Sequence, residues 1–173
     1  MSAYFDALCE AMVMVAREKS RAIFMGQAVA CAGTAMSNTF KDVPREKLLE
    51  MPVTEDMQLG LAIGMALNGD FPVSCYPRIN FLLLAMNQLI LHLDKIPIYS
   101  EFRPKVIIRT AIAVASPLDP GVQHLGDFTE GLQKMLCRVN VVTLNNADDI
   151  LPAYEWAIKS EHSVVMVEQL GLY

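Results

Sequence analysis

Closely spaced cysteines are missing from this chain. Its four cysteines, Cys9, Cys31, Cys75 and Cys137, lie far apart with no Cys-x-x-Cys between them. That spacing excludes a zinc ribbon, a dithiol redox pair and a dense disulfide frame. The four read as buried thiols in a reducing compartment, and a cytoplasmic location is expected. Basic clusters are missing too. Lys and Arg number 14 against 19 Asp and Glu, for a net charge of −5, which argues against nucleic acid and anionic membranes as partners. The N-terminal stretch MSAYFDALCEAM carries acids at helical spacing where a secretory signal would carry a basic head. The most apolar run, INFLLLAMNQLILHL (79–93), is short for a membrane span and is broken by Asn80, Asn87, Gln88 and His92. Gly-x-Ser-x-Gly, phosphate-loop and His-Glu-x-x-His patterns are all lacking, which removes the usual serine-hydrolase, nucleotide and zinc-protease readings.

Apolar residues are plentiful. They make up 53% of the 173 residues, with charged residues at 19%, so the chain can bury a core and disorder is excluded. One domain over 1–173 is expected. An apolar share this high also predicts a large buried interface, because too few polar groups remain to cover the surface.

Along the chain helix and strand alternate. Helices are predicted over 3–19, 55–68, 79–94, 127–136 and 147–160. Strands are predicted over 21–26, 71–76, 105–114, 140–144 and 163–169. Residues 33–52, punctuated by Gly33, Asn38, Pro44 and Pro52, read as a loop with a short helix. Short uninterrupted strands of Val, Ile and Met are buried on both faces. The expected fold is therefore an α/β three-layer sandwich, with a central, mainly parallel sheet flanked by helices. Ligands of such sheets sit beyond the carboxyl ends of the strands, where Glu55, Tyr76 and the 115–126 loop fall.

Taken residue by residue, the functional candidates compete with structural roles. Glu55 and Asp56 open the helix of MPVTEDMQLGLAIGMALNG (51–69), where acids suit the helix dipole and Thr54 offers a hydroxyl cap. Gly60 and Gly64 allow close helix packing, and they lie inside the helix, unlike the glycines of a dinucleotide fingerprint. His124, in the Pro/Gly loop DPGVQHLGDF, is a stronger candidate than His92 or His162. Phe81 reads as core.

The order of several stretches resembles one family along nearly the whole chain. They are YFDALCEAM, FMGQAV, GT at 33–34, PREKLLEMPVTE, GLAIGMALNGDFPV, NF at 80–81, AMNQL, KVIIR, GVQH and VVMVEQLGLY. They look like the pyrimidine-binding domain of thiamine-diphosphate-dependent enzymes of the transketolase and 2-oxoacid dehydrogenase group, above all the dehydrogenase beta subunit. The resemblance implies that Glu55 is the cofactor-activating glutamate. Hydrogen-bonded to a ring nitrogen of the aminopyrimidine, it would favour the imino form that takes the proton from the thiazolium carbon. By the same resemblance Phe81 stacks on the aminopyrimidine. Gln123 and His124 match a Gln-His pair whose histidine faces the reacting end and assists proton transfer or holds a carboxylate.

In that family the diphosphate and Mg²⁺ are held elsewhere, by a Gly-Asp-Gly signature that this sequence does not contain. A carboxy-terminal transketolase-type domain is likewise not among these residues. The reading that follows is a split enzyme, cytoplasmic and hetero-oligomeric, with a heterotetramer as one such arrangement. This chain would supply the pyrimidine site, and a Gly-Asp-Gly partner subunit would hold thiamine diphosphate through Mg²⁺. The substrate would be a 2-oxo acid or ketose, undergoing decarboxylation with transfer of an acyl or two-carbon unit. The alternatives are a non-catalytic assembly or regulatory subunit and a free-standing ligand-binding domain. Cys75, Leu125 and the apolar TAIAVASPLDPG segment depart from the family pattern, and no monovalent-cation site is identifiable.

Overall fold

Six parallel strands form the centre of the molecule. This computed structural model describes residues 2–31, 33–116 and 119–173, so Pro117 of the expected 115–126 loop lies outside the described residues. The strands are β1 (Ala22–Gly26), β2 (Leu48–Glu50), β3 (Phe71–Cys75), β4 (Ile107–Ile112), β5 (Asn140–Thr143) and β6 (Val164–Gln169). Their order across the sheet is β2-β1-β3-β4-β6-β5, with every pairing parallel. The expected sandwich is present, and its sheet is parallel throughout.

Helices cover both faces. On one face α1 (Ala3–Glu18) packs against α7 (Ala147–Lys159), burying Leu8, Met12 and Val15 beside Ile150, Tyr154 and Ala157 over Phe24, Val73 and Ile107. Ser2 starts α1 by accepting the Phe5 N–H at 3.1 Å. The opposite face carries α3 (Glu55–Leu67), the 79–99 segment and α6 (Thr129–Met135), with Leu59, Ile63, Ile79, Leu82, Leu89 and Leu132 over Met25, Ile108 and Val165. α2 (Ala35–Asn38) is a single turn closed by a reciprocal cap between Thr34 and Ser37.

Charge is also built into the interior. Arg109 of β4 and Glu168 of β6 form a fully buried two-point ion pair, Nε to Oε1 at 2.7 Å and Nη2 to Oε2 at 3.0 Å. Arg109 also donates to Thr39 Oγ1, while the hydroxyls of Tyr154 and Tyr173 donate to Glu168. On the opposite face, the Asp94 carboxylate accepts the backbone N–H groups of Cys137, Arg138 and Val139 and the ammonium of Lys95. It ties the 79–99 segment to the turn before β5.

Four expectations are corrected here. The run 79–94 is not one helix. It comprises α4 (Ile79–Leu82), a tight turn at Leu83–Ala85 and a π-helical stretch Asn87–Leu93, before α5 (Ile96–Tyr99), which has a proline in its first turn. Apolar patterning carries no information on hydrogen-bond register, and a widened register is what breaks the helix. Residues 48–50, read as loop, form the three-residue edge strand β2, too short and too exposed to show strand alternation. Thr54 does not cap α3; its hydroxyl turns back to the Pro52 carbonyl at 3.3 Å. Cys9 and Cys75 are buried, but Cys31 and Cys137 are exposed, because both lie in loops off the layered core. Among the described residues no single helix is long and apolar enough to cross a membrane, although Ile79–Ala85 and Asn87–Tyr99 pass that test together as a pair bent by 58°.

Candidate cofactor-binding site

The carboxyl ends of β1 and β3 meet too closely for a side chain between them. A Cβ on Gly26 would lie 2.4 Å from the Cys75 carbonyl oxygen, so only glycine permits this pairing. Buried Gln58 of α3 spans the same junction. Its amide donates to Ser74 Oγ at 2.9 Å and to the Cys75 carbonyl at 3.1 Å. A polar side chain buried this deeply must be satisfied, and satisfying it fixes α3 over the strand ends. Glu55 lies three residues earlier, nearly one turn towards the helix N-terminus. The Tyr76 hydroxyl adds a second tie by donating to the Glu55 carbonyl at 3.3 Å. Burial pushes the Tyr76 phenol far above its ordinary range and the Cys75 thiol up to about 12, so both stay neutral.

Half-buried Glu55 lines a small, shallow cleft together with Gln27, Pro52, Val53, Thr54, Gln58, Cys75, Tyr76, Pro77 and Phe81. The side chain of Phe81, on α4, is only partly buried, so the expectation that it reads as core alone gives way to an aromatic wall of this cleft. Gln27, Pro77 and Phe81 also border a second, larger cleft, which runs beneath the 27–36 loop to Ala113, Pro120 and Leu170. That loop is held by Glu50 of β2, whose carboxylate accepts the N–H groups of Ala28 at 2.6 Å and Ala30 at 2.8 Å. Ala28 has φ of +55°, a left-handed conformation that these two bonds stabilise.

His124, in the short turn Val122–His124, packs its ring against Phe81 with centroids 5.4 Å apart and planes at 54°. The Gln123 amide nitrogen lies 3.3 Å from His124 Nε2. The amide nitrogen can donate to that ring nitrogen and so orient the imidazole. Among the described residues His124 Nδ1 is buried without a partner, as is Asn80 Oδ1 in the residue beside Phe81. A buried polar atom left unsatisfied costs free energy, and a bound water or ligand group would relieve it. The tertiary structure therefore brings Glu55, Phe81 and His124 to one region, with Gln123 exposed at its rim.

Several residues of the site had no assigned role in the sequence. Gln27 and Asn80 fall inside the stretches FMGQAV and NF without one. Gln58 was detectable in principle as an uncharged polar residue on the otherwise apolar face of α3. Arg78 carried no signal.

An all-parallel sheet with a carboxylate and an aromatic wall at its carboxyl edge has the layout of an α/β domain with a candidate ligand site at the strand ends. The chain belongs to the family described as transketolase, pyrimidine binding domain, which it matches over residues 1–173. It is 29% identical to the pyruvate dehydrogenase E1 component subunit beta-4, chloroplastic, of Oryza sativa subsp. japonica, over 98% of this chain and 43% of that protein. It is 23% identical to the 2-oxoisovalerate dehydrogenase subunit beta of Bacillus subtilis (strain 168), over 98% of this chain and 53% of the other. The chain thus spans about half the length of the curated relatives it matches. In fold it is similar to a split gene transketolase solved as an inactive beta4 tetramer, with a TM-score of 0.74 at 17% identity, covering 96% of this chain and 51% of that one. The transketolase of Campylobacter jejuni subsp. jejuni gives 0.72 at 13% identity, covering 95% and 25%.

Proposed function

We propose that this chain provides the pyrimidine half of a thiamine-diphosphate site in a two-chain enzyme acting on a 2-oxo acid or ketose. The observation that carries the reading is the shared cleft of Glu55 and Phe81 at the carboxyl ends of β1 and β3. These residues suit an aminopyrimidine: a carboxyl to share a proton with a ring nitrogen, an aromatic face to stack on, and close by the His124 Nδ1, unpartnered among the described residues. When bound, thiamine diphosphate supplies an acidic thiazolium carbon that serves as the nucleophile towards a carbonyl. Glu55 would hold the shared proton and so activate the cofactor. Phe81 would fix the plane of the ring, and His124, oriented by Gln123, would donate or accept a proton at the reacting end.

Diphosphate and Mg²⁺ would be held by a partner subunit bearing a Gly-Asp-Gly signature. The exposed apolar side chains Met57 and Leu61 on α3, and Leu84 and Leu91 on the neighbouring segment, suit burial against such a subunit. Decarboxylation with acyl or two-carbon transfer is the reaction class this arrangement serves.

Calorimetry tests the reading. Thiamine diphosphate with Mg²⁺ should bind the mixture of the two chains, and turnover of a 2-oxo acid or ketose should need both. A stable complex that binds no thiamine diphosphate would show an assembly subunit instead.

A further inference from the structure

Among the described residues Arg78 is the only charged one lining the larger of the two clefts, whose other walls are Gln27, Thr34, Ser116 and apolar residues. Its guanidinium carbon lies 5.8 Å from the centroid of the Phe81 ring. Among the described residues Arg78 has no carboxylate partner. Two other arginines are neutralised by carboxylates, Arg21 by Asp70 and Arg109 by Glu168, whereas Arg78 is set in a cleft wall beside an aromatic ring. A half-buried guanidinium 5.8 Å from an aromatic ring, lining a cleft with no acid among its described walls, suits a planar or tetrahedral oxyanion.

We propose that Arg78 recognises an anionic group of the substrate, a carboxylate or a phosphate ester, in the cleft beside the Phe81 shelf. This deepens the functional reading above and rests on it for the identity of the anion's bearer. The placement gives a physical reason. Phe81 borders both clefts and its ring packs against His124, so the Arg78 cleft adjoins the residues assigned above to the cofactor. A cation there would orient the substrate through its charged end and leave the carbonyl to the reacting centre. Arg78 is thus a specificity residue and takes no proton.

The test uses the full chain with ¹⁵N-labelled arginine side chains. Sodium pyruvate, inorganic phosphate and sodium chloride are titrated in separately at matched ionic strength. A saturable shift of the Arg78 Nε–H resonance with pyruvate or phosphate, and none with chloride, is expected. Tighter binding of pyruvate would identify a 2-oxo acid carboxylate as the ligand chemistry, and tighter binding of phosphate a phosphorylated sugar. Arg78→Met should weaken the preferred anion about tenfold or more, read at the Phe81 backbone amide, and Arg78→Lys should weaken it less. Equal shifts with chloride, or unchanged anion affinity in Arg78→Met, would overturn the proposal. Calorimetry of thiamine diphosphate with Mg²⁺ on the two-chain mixture separates the two ideas. Anion binding at Arg78 with no cofactor binding by the mixture would sink the functional reading alone, and the reverse would sink only the role of Arg78.

Discussion

The imidazole of His124 rests against the phenyl ring of Phe81, 5.4 Å between centroids, although 43 residues of chain separate them. Phe81 sits at the carboxyl end of β3 and His124 in the connection that leaves β4, the neighbouring strand. A parallel sheet delivers both to one edge. Because Phe81 also shares a cleft with Glu55, one aromatic ring joins the carboxylate and imidazole parts of the site.

Proton sharing by Glu55 makes a sharp kinetic prediction. Glu55→Gln keeps the shape and a hydrogen-bonding amide but cannot share a proton. Turnover in the reconstituted two-chain enzyme should fall roughly 10²- to 10⁴-fold, with thiamine diphosphate still bound. Full turnover in steady-state assays of that variant would remove Glu55 from the mechanism.

The buried pair Arg109–Glu168 should dominate the stability of the sheet centre. Replacing Glu168 by Gln leaves a guanidinium in the interior with no counter-charge, and a loss of about 3–5 kcal/mol is expected. Urea unfolding reads it directly. Burial disfavours charge on Arg109, yet the facing Glu168 carboxylate keeps its pKa well above the ordinary value, so the guanidinium stays charged at any working pH.

Asp94 supplies a pH-dependent increment. Burial opposes its charge, but the Lys95 ammonium and the N–H groups of Arg138, Val139 and Cys137 outweigh that and hold its pKa below the usual carboxylate value. A depressed folded-state pKa contributes stability that is complete above the unfolded value of roughly 4 and is lost as pH falls through the lower folded value. Asp94→Asn should cost about 1–3 kcal/mol at neutral pH. Thermal melts of the two proteins should converge as pH drops below about 4. A constant gap between pH 3 and 7 would contradict the assignment.

Thiol reactivity should divide the four cysteines in two. Cys31 and Cys137 are exposed and should react with an aromatic disulfide reagent in the native protein. Cys9 and Cys75 are buried, and burial pushes both thiols up, Cys75 to about 12, so they should react only on unfolding. Mass spectrometry of the labelled peptides gives the order.

Much of the fold was legible along the chain. Strands β1, β3, β4, β5 and β6 are short apolar runs between helices, and α1, α3 and α7 stand where helical spacing predicts them. Elements whose formation depends on neighbours were not legible. β2 exists because β1 offers it an edge, and the 79–99 segment changes register where it crosses α3, at Gly60 beside the Gln88 side chain. Glu55 was ambiguous in isolation, since an acid in a first helical turn is good capping chemistry anyway. The ordered resemblance of its surroundings singled it out.

Alternating periodicity and composition are local properties, and they sufficed for an α/β sandwich with a parallel sheet, because strands buried on both faces must be apolar throughout. Which side chains share a cleft is a non-local property. The tertiary structure decided that Gln58 pins α3 to the strand ends, that Phe81 borders both Glu55 and His124, and that Arg78 has no acid beside it among the described residues. Each depends on strand order and helix register, which bring together groups that the linear chain keeps apart.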